Sequence, residues 1–289
     1  MKNDNLYALL AANFPKAKNA PALILADGRV WTYDDVQHAS ARMAHLLVSL
    51  GLKPGDRVAV QVEKTPEALV LYLATLRAGM VFLPLNPAYQ RHELEYFLGD
   101  ATPGLVVCRP QMRGLIDELA KAAKVPNVLE LDDAGQGSLI DAATPFADTF
   151  ETAPRTGDDL AAILYTSGTT GRSKGAMLTH RNLAVNAQTL HAYWKFRKGD
   201  VLLHMLPIFH VHGLFVASHC ALLNGSAMLF EPKFDGKRAL ALLPQATVFM
   251  GVPTYYVRLL LEAGFDKALV KHMRLFVSGS APLLKETFD

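Results

Sequence analysis

The chain has 289 residues, 51% of them hydrophobic and 19% charged, which is enough apolar chain for a sizeable core in one large domain or two smaller ones and excludes extended disorder. A formal charge of +2 offers no concentrated basic surface and argues against a nucleic-acid binder. Two cysteines, Cys108 and Cys220, exclude a disulfide framework and fit a reducing, cytoplasmic setting. No apolar run is long enough for a membrane span, because the nearest candidate, 214–230, is interrupted by Ser218, His219, Asn224 and Gly225. The first residues, Met1-Lys2-Asn3-Asp4-Asn5, lack a signal-peptide pattern.

Thr32, with Asp35 three residues on, starts a helix expected to end near Gly51. Pro54-Gly55-Asp56 is a turn signal, and 57–62 reads as a strand. Thr65 then serves as N-cap, Pro66 takes the first helical position and Glu67 is favoured by the helix dipole. That helix runs to about Arg77, with Gly79 to end it. A strand at 80–85, a helix at 91–98 and a buried strand at 105–108 follow.

Residues 132–158 carry Gly135, Gly137, Pro145, Pro154 and Gly157, and read as a surface connection between two lobes with a short helix at 138–143. Beyond it the pattern predicts strands at 160–165, 201–206, 227–230, 247–252 and 275–277. Helices are expected at 181–196, 214–223, 238–243 and 254–261. The alternation predicts an α/β fold of layered sheets with flanking helices, at least partly parallel: a first lobe over 1–157 and a second over 158–289. Pro282 stands where another helix should begin, so the sequence is expected to stop inside an element.

An apolar strand feeds directly into Tyr165-Thr-Ser-Gly-Thr-Thr-Gly-Arg-Ser-Lys-Gly175. Gly168, Gly171 and Gly175 permit positive φ and close backbone approach, so successive N–H groups can form an anion-binding nest. Thr166, Ser167, Thr169 and Thr170 add hydroxyl donors, and Lys174 adds a compact charge suited to a polyphosphate. The spacing is not that of a Walker A loop: Ser173 falls where the second glycine should be, and Gly175 follows Lys174 where Ser or Thr is required. A dinucleotide fingerprint fails because Thr169 and Thr170 separate the first two glycines. The plain alternative is a flexible surface loop.

His204, His210, His212 and His219 lie close together, with Cys220 adjacent. Zinc would need a third and a fourth ligand that the spacing does not supply. His204, His212 and His219 read as packed or surface histidines, whereas His210, in a loop after a strand, is a candidate pocket residue. Arg258 is placed in about the second turn of a helix opened by Pro253-Thr254, where a cation costs about 0.3–1 kcal/mol that an anionic ligand would offset. A carboxylate suits its guanidinium fork; the alternative is an exposed arginine whose stem covers apolar surface. Arg274, at the start of the last strand, is a weaker candidate.

With these residues in hand, the chain resembles the adenylate-forming acyl-CoA synthetase superfamily. The stretch 165–175 looks like its phosphate-binding signature, Leu206-Pro207-Ile208-Phe209-His210-Val211-His212-Gly213 its aromatic–histidine loop, and Val277-Ser278-Gly279-Ser280-Ala281-Pro282-Leu283 its adenine-flanking strand end. Within the superfamily it most resembles malonyl-CoA synthetases, and only the N-terminal part of that architecture is covered. The resemblance implies ATP, Mg²⁺ and CoA as cofactors. A carboxylate, malonate or methylmalonate, would attack the α-phosphate of ATP, and the CoA thiol would then displace AMP. Thr166, Ser167, Gly168, Thr169, Thr170, Gly171 and Lys174 would bind the phosphates. Ser278, Gly279, Ser280, Ala281 and Pro282 would flank the adenine, and His210 and Arg258 would hold the distal carboxylate. The family's catalytic glutamate and lysine motifs and its C-terminal domain have no counterpart in these 289 residues, so no catalytic residue is assigned and the chain is expected to be partial or inactive alone. The alternatives are a synthetase for another carboxylic acid and a non-catalytic nucleotide-binding fragment.

Overall fold

A computed structural model describes residues 3–166 and 173–288. In chain order these form α1 (Leu6–Ala11), β1 (Pro21–Leu25), β2 (Val30–Thr32), α2 (Tyr33–Ser49), β3 (Arg57–Gln61), α3 (Pro66–Arg77), β4 (Val81–Pro84), α4 (Arg91–Ala101) and β5 (Leu105–Cys108). Next come α5 (Arg113–Ala122), β6 (Val128–Glu130), α6 (Ser138–Ala143), β7 (Leu160–Thr166), β8 (Lys174–Thr179), α7 (His180–Tyr193) and β9 (Val201–His204). A π-helical segment (His212–Ser218) leads into α8 (His219–Asn224) and β10 (Ala227–Phe230). The chain continues with α9 (Gly236–Leu242), β11 (Val248–Gly251), α10 (Pro253–Leu260), α11 (Lys267–Val270), β12 (Leu275–Ser278) and α12 (Lys285–Phe288).

Two compact units result, the first of Met1–Ala12 with Asp35–Val185, the second of Asn13–Asp34 with Asn186–Asp289. In the first, a sheet of order β6-β5-β3-β4-β7-β8 is parallel except for the antiparallel β7–β8 hairpin. Its inner strands β4 and β5 are buried along their whole length, which is why they read as unbroken apolar runs without alternation. Helix α3 starts as expected: the Thr65 hydroxyl accepts from the Ala68 N–H at 3.1 Å, and Pro66 opens the first turn. Leu83, Phe97, Val106 and Ile116 belong to the core that α4 and α5 pack against this sheet.

The second unit has a sheet of order β12-β11-β9-β10-β1-β2, parallel except for the β1–β2 hairpin. Tyr33, fully buried, donates its hydroxyl to the Ser226 carbonyl at 2.8 Å and so ties the end of that hairpin to β10. Leu203, Phe249 and Leu259 lie in its core. Asp200, just before β9, takes a bidentate ion pair from Arg274, just before β12.

The α/β class holds, but the units part elsewhere than at the 157/158 boundary read from the sequence. Hydrogen bonding is the reason: β7 joins the first sheet beside β4, with Phe82 opposite Ala162, while β1 joins the second beside β10, with Leu23 opposite Met228. Residues 132–158 therefore lie wholly within the first unit and do not link the two. They are tied there by Ala153 N–H to Arg77 O and by Asp4 N–H to Arg155 O, both at 2.9 Å.

Candidate functional site

The glycine- and hydroxyl-rich stretch joins the two strands of a hairpin. Thr166 pairs with Lys174 and Tyr165 with Gly175, so Lys174 and Gly175 stand in strand β8 and not in the loop the sequence predicted. Both Thr166 and Lys174 are exposed. Ser167, Gly168, Thr169, Thr170 and Gly171 lie outside the described residues. Gly175 is not among the glycines with positive φ; a Cβ there would be tight, 3.0 Å from Ile163 Cγ2 and 3.4 Å from Tyr165 Cε1.

Helix α4 holds both arms of this hairpin beside the loop. The Tyr165 hydroxyl donates to Asp100 Oδ2 at 2.5 Å, and the Tyr96 hydroxyl donates to the Ser173 carbonyl at 2.9 Å. Phe97 stacks on the Tyr165 ring at 4.2 Å. Burial, and then the Asp100 carboxylate, push the Tyr165 pKa well up, so its hydroxyl stays a donor. Sequence reasoning missed this support. Tyr96 and Asp100 lie four residues apart on one helix face, but nothing local names the hairpin as their partner.

In the second unit, β9, β11 and β12 are adjacent and parallel, so their carboxyl ends open at one edge of the sheet. Ligands gather at such edges in α/β folds. After β9 the chain passes through His210 into the π-helical segment; after β11 it turns through Pro253 into α10; after β12 it runs through Gly279 to Pro282. His210 and the residues Ser278, Gly279, Ser280, Ala281 and Pro282 thus lie at or beyond the ends of β9 and β12, and Arg258 is the sixth residue of the helix that follows β11. Ser280 has a left-handed φ of 70°, uncommon for a residue with a side chain. The Ser278 hydroxyl is buried and has no hydrogen-bond partner among the described residues.

The histidines separate by environment. His210 is exposed at the head of the π-helical segment. His212 is buried, with Nδ1 3.3 Å from Ser280 Oγ. Burial, and then the nearby His210, hold its pKa below the ordinary value. His204 Nε2 lies 3.0 Å from both Gly213 O and Ser218 Oγ, and Ser218 Oγ donates to Gly213 O at 2.8 Å. His204 and Ser218 thus serve the carbonyl that the widened turn would otherwise leave short of donors. His219 is buried beside Phe215, and burial pushes its pKa down to about 3. Among the described residues no group of three His, Cys, Asp or Glu side chains could hold a metal ion.

Arg258 is corrected in position. Helix α10 has eight residues, and Arg258 lies in its last turn, where the dipole favours a cation. The cost inferred from a second-turn placement therefore falls away. Its guanidinium lies over the Phe234 ring at 4.8 Å, and Phe234 stacks on Tyr255 at 4.0 Å. Stacking occupies the face of the guanidinium and leaves its N–H edge for an anion. Arg274 is committed elsewhere: it bonds Asp200 at 2.5 and 2.9 Å and the Trp194 carbonyl at 3.1 Å.

Comparison with known proteins agrees with this architecture. The family model described as AMP-binding enzyme matches residues 10–289. A long-chain-fatty-acid–CoA ligase of Bacillus subtilis is 30% identical over 328 residues, covering 100% of this chain and 58% of that protein. The mitochondrial malonate–CoA ligase of Mus musculus is 35% identical over 273 residues, covering 87% of this chain and 46% of that protein. The crystal structure of ATP-bound MatB from Rhodopseudomonas palustris matches with a TM-score of 0.95 at 52% identity, over 99% of this chain and 56% of that one. The chain thus spans about half the length of these relatives. Among the described residues no helix is long and apolar enough to cross a membrane. Matched by the family model over nearly its whole length and by acyl-CoA ligases in sequence, the chain belongs to the family of AMP-binding, adenylate-forming enzymes.

Proposed function

We propose that the chain is part of a cytoplasmic malonyl-CoA synthetase, which converts malonate, ATP and CoA to malonyl-CoA, AMP and pyrophosphate. The observation that carries the choice of acid is the placement of His210 and Arg258 after adjacent parallel strands, both exposed, with the Arg258 guanidinium stacked on Phe234 and making no hydrogen bond among the described residues. The likeness to the mouse malonate–CoA ligase supports it. Only one malonate carboxylate is consumed in the adenylate; the other needs paired donors when desolvated, and a guanidinium with a histidine supplies them. Lys174 and the hydroxyls of the 166–171 stretch would bind the β- and γ-phosphates, and Ser278 to Pro282 would flank the adenine. An exposed lysine next to a donor-rich stretch fits a polyphosphate. Mg²⁺ would neutralise phosphate charge.

A synthetase for an uncharged acid is the second reading. The stacking of Arg258 on Phe234 favours it, since that contact alone could account for the arginine.

The test is acid-dependent ATP–pyrophosphate exchange by the complete gene product. Malonate, with methylmalonate tolerated, should exceed acetate and butyrate by up to about 10⁴-fold, because those acids leave the polar groups unpaired. Arg258→Leu should abolish malonate use and spare ATP affinity. Lys174→Ala should raise the KM for ATP about tenfold or more, as expected for one lost charge-assisted contact. A wild type that prefers butyrate, or an Arg258→Leu enzyme that uses malonate normally, removes malonate and leaves the broader family.

A further inference from the structure

We propose that His212 is a positioning residue for the nucleotide: it shapes the Gly279–Ser280 corner. The inference rests on the reading of that corner as adenine-flanking.

Three observations meet at this imidazole. Its ring lies against Gly279, where a Cβ would stand 3.1 Å from Cε1 and 3.4 Å from Nδ1, so a side chain there would have to push the ring back. Its Nδ1 is 3.3 Å from Ser280 Oγ, and Ser280 is the residue with left-handed φ. Such a backbone persists in a side-chain-bearing residue only where its surroundings hold it. The ring is itself anchored: His212 opens the π-helical segment, and the next residue, Gly213, has its carbonyl bound by His204 and Ser218. A Cβ on Gly213 would fall 2.0 Å from the Pro207 carbonyl oxygen, so this turn cannot slide.

Other groups also fix this corner. Gly279 N–H donates to Gly251 O at 3.1 Å, and the Tyr256 hydroxyl donates to Val277 O at 2.6 Å. The end of β12 is therefore held by β11 and α10 as well as by His212. Burial keeps the imidazole neutral, so Nδ1 can accept the Ser280 hydroxyl. His212 thereby joins the loop that carries His210 to the segment assigned to the adenine.

The experiment compares His212→Asn, which keeps an acceptor close to the Nδ1 position, with His212→Leu and Ser280→Ala, in the complete gene product. Amide hydrogen exchange over 279–283 is measured without nucleotide, and ATP affinity by calorimetry. His212→Leu and Ser280→Ala should each speed exchange at 279–281 and weaken ATP about 3- to 10-fold, the scale of one hydrogen bond. The double variant should be no weaker than either single, because the two share one contact. His212→Asn should stay within about twofold of wild type in both measurements, and the KM for malonate should be unmoved throughout. Because Ser280 is exposed, its variant remains informative should His212→Leu fail to fold. Unchanged exchange in Ser280→Ala, unchanged ATP affinity despite faster exchange, or a His212→Asn protein as defective as His212→Leu overturns the proposal. A wild type that binds no ATP refutes the nucleotide assignment instead, and exchange still reports whether His212 grips the corner.

Discussion

At residue scale, the buried histidines make acid a specific stress. His180, at the start of α7, accepts the Leu6 N–H on Nδ1 at 3.0 Å and is fully buried. Burial first, and then the Arg155 guanidinium, push its pKa down to about 4, while Asp159 acts weakly the other way. Above its ordinary value of 6.5 the imidazole is neutral in folded and unfolded chains alike. Between pH 6.5 and about 4 only the unfolded chain takes the proton, so stability falls as pH falls. This one group should cost about 3 kcal/mol across that window. Urea unfolding from pH 7.5 to 4.5 should show the decline, and His180→Asn, which keeps an acceptor and cannot titrate, should flatten it. An unchanged slope in that variant would exclude His180 as a source. Asp200 belongs to another range. Burial opposes its charge, but hydrogen bonds from Arg274, the Arg197 N–H and Thr247 hold its carboxyl below the usual value, so its contribution is lost only at more acid pH. Arg274→Leu leaves that carboxylate, 2% exposed, without its cation and should destabilise by about 3–5 kcal/mol. Denaturant titration at pH 7 measures this.

At the scale of elements, two devices hold functional segments in place. One is the π-helical turn, where Gly213 approaches the Pro207 carbonyl too closely for any side chain. Gly213→Ala sets a methyl against backbone, which cannot rotate away, and should cost about 3 kcal/mol by overpacking. A lowered urea midpoint with an unchanged m-value is the expected signature, and full stability would show that the turn can relax. The other device is the grip of α4 on the β7–β8 hairpin. Tyr96→Phe removes only the donor to Ser173 O and should leave global stability within about 1 kcal/mol. Amide exchange at 173–175 should rise nonetheless, since the arm next to Lys174 loses its tie. Equal exchange in variant and wild type would count against the grip.

At the scale of the molecule, the first 34 residues are divided between the two units. Residues up to Ala12 belong to the first, where the Asn5 side chain donates to Leu76 O and Ala153 O at 2.7 and 3.0 Å. Residues 13–34 supply the β1–β2 hairpin of the second, with Leu23 and Tyr33 fully buried. Deleting residues 1–34 therefore strips both units, bares the edge of β10 and opens apolar core. The shortened chain should be insoluble or bind a hydrophobic dye strongly. A monomeric, cooperatively unfolding product would contradict this account.

Features set by neighbours along the chain were legible without a structure. The Thr65-Pro66-Glu67 helix start, the strand at 105–108, the helix at 138–143 and the α/β alternation all depend on caps, turn residues and periodicity within a few positions. The reading of 165–175 as a phosphate loop rests on the same kind of signal, since glycines, hydroxyls and a lysine stand together in sequence. Other features depend on groups that the chain brings together from far apart. Pairing of β1 with β10 joins residues about 200 positions apart, and that ladder decided which unit each end of the sequence joins. Lys174 became a strand residue because β7 offered it a partner in Thr166. Arg258 changed from an early-helix cation to a last-turn cation stacked on Phe234 because α10 ends at Leu260. His212 read as one packed histidine among three, and only the parallel placement of β9, β11 and β12 set it against Ser280. Caps and periods are properties of a segment, whereas ladders, close approaches and paired side chains are properties of two, and the second partner is chosen only when the sheet forms.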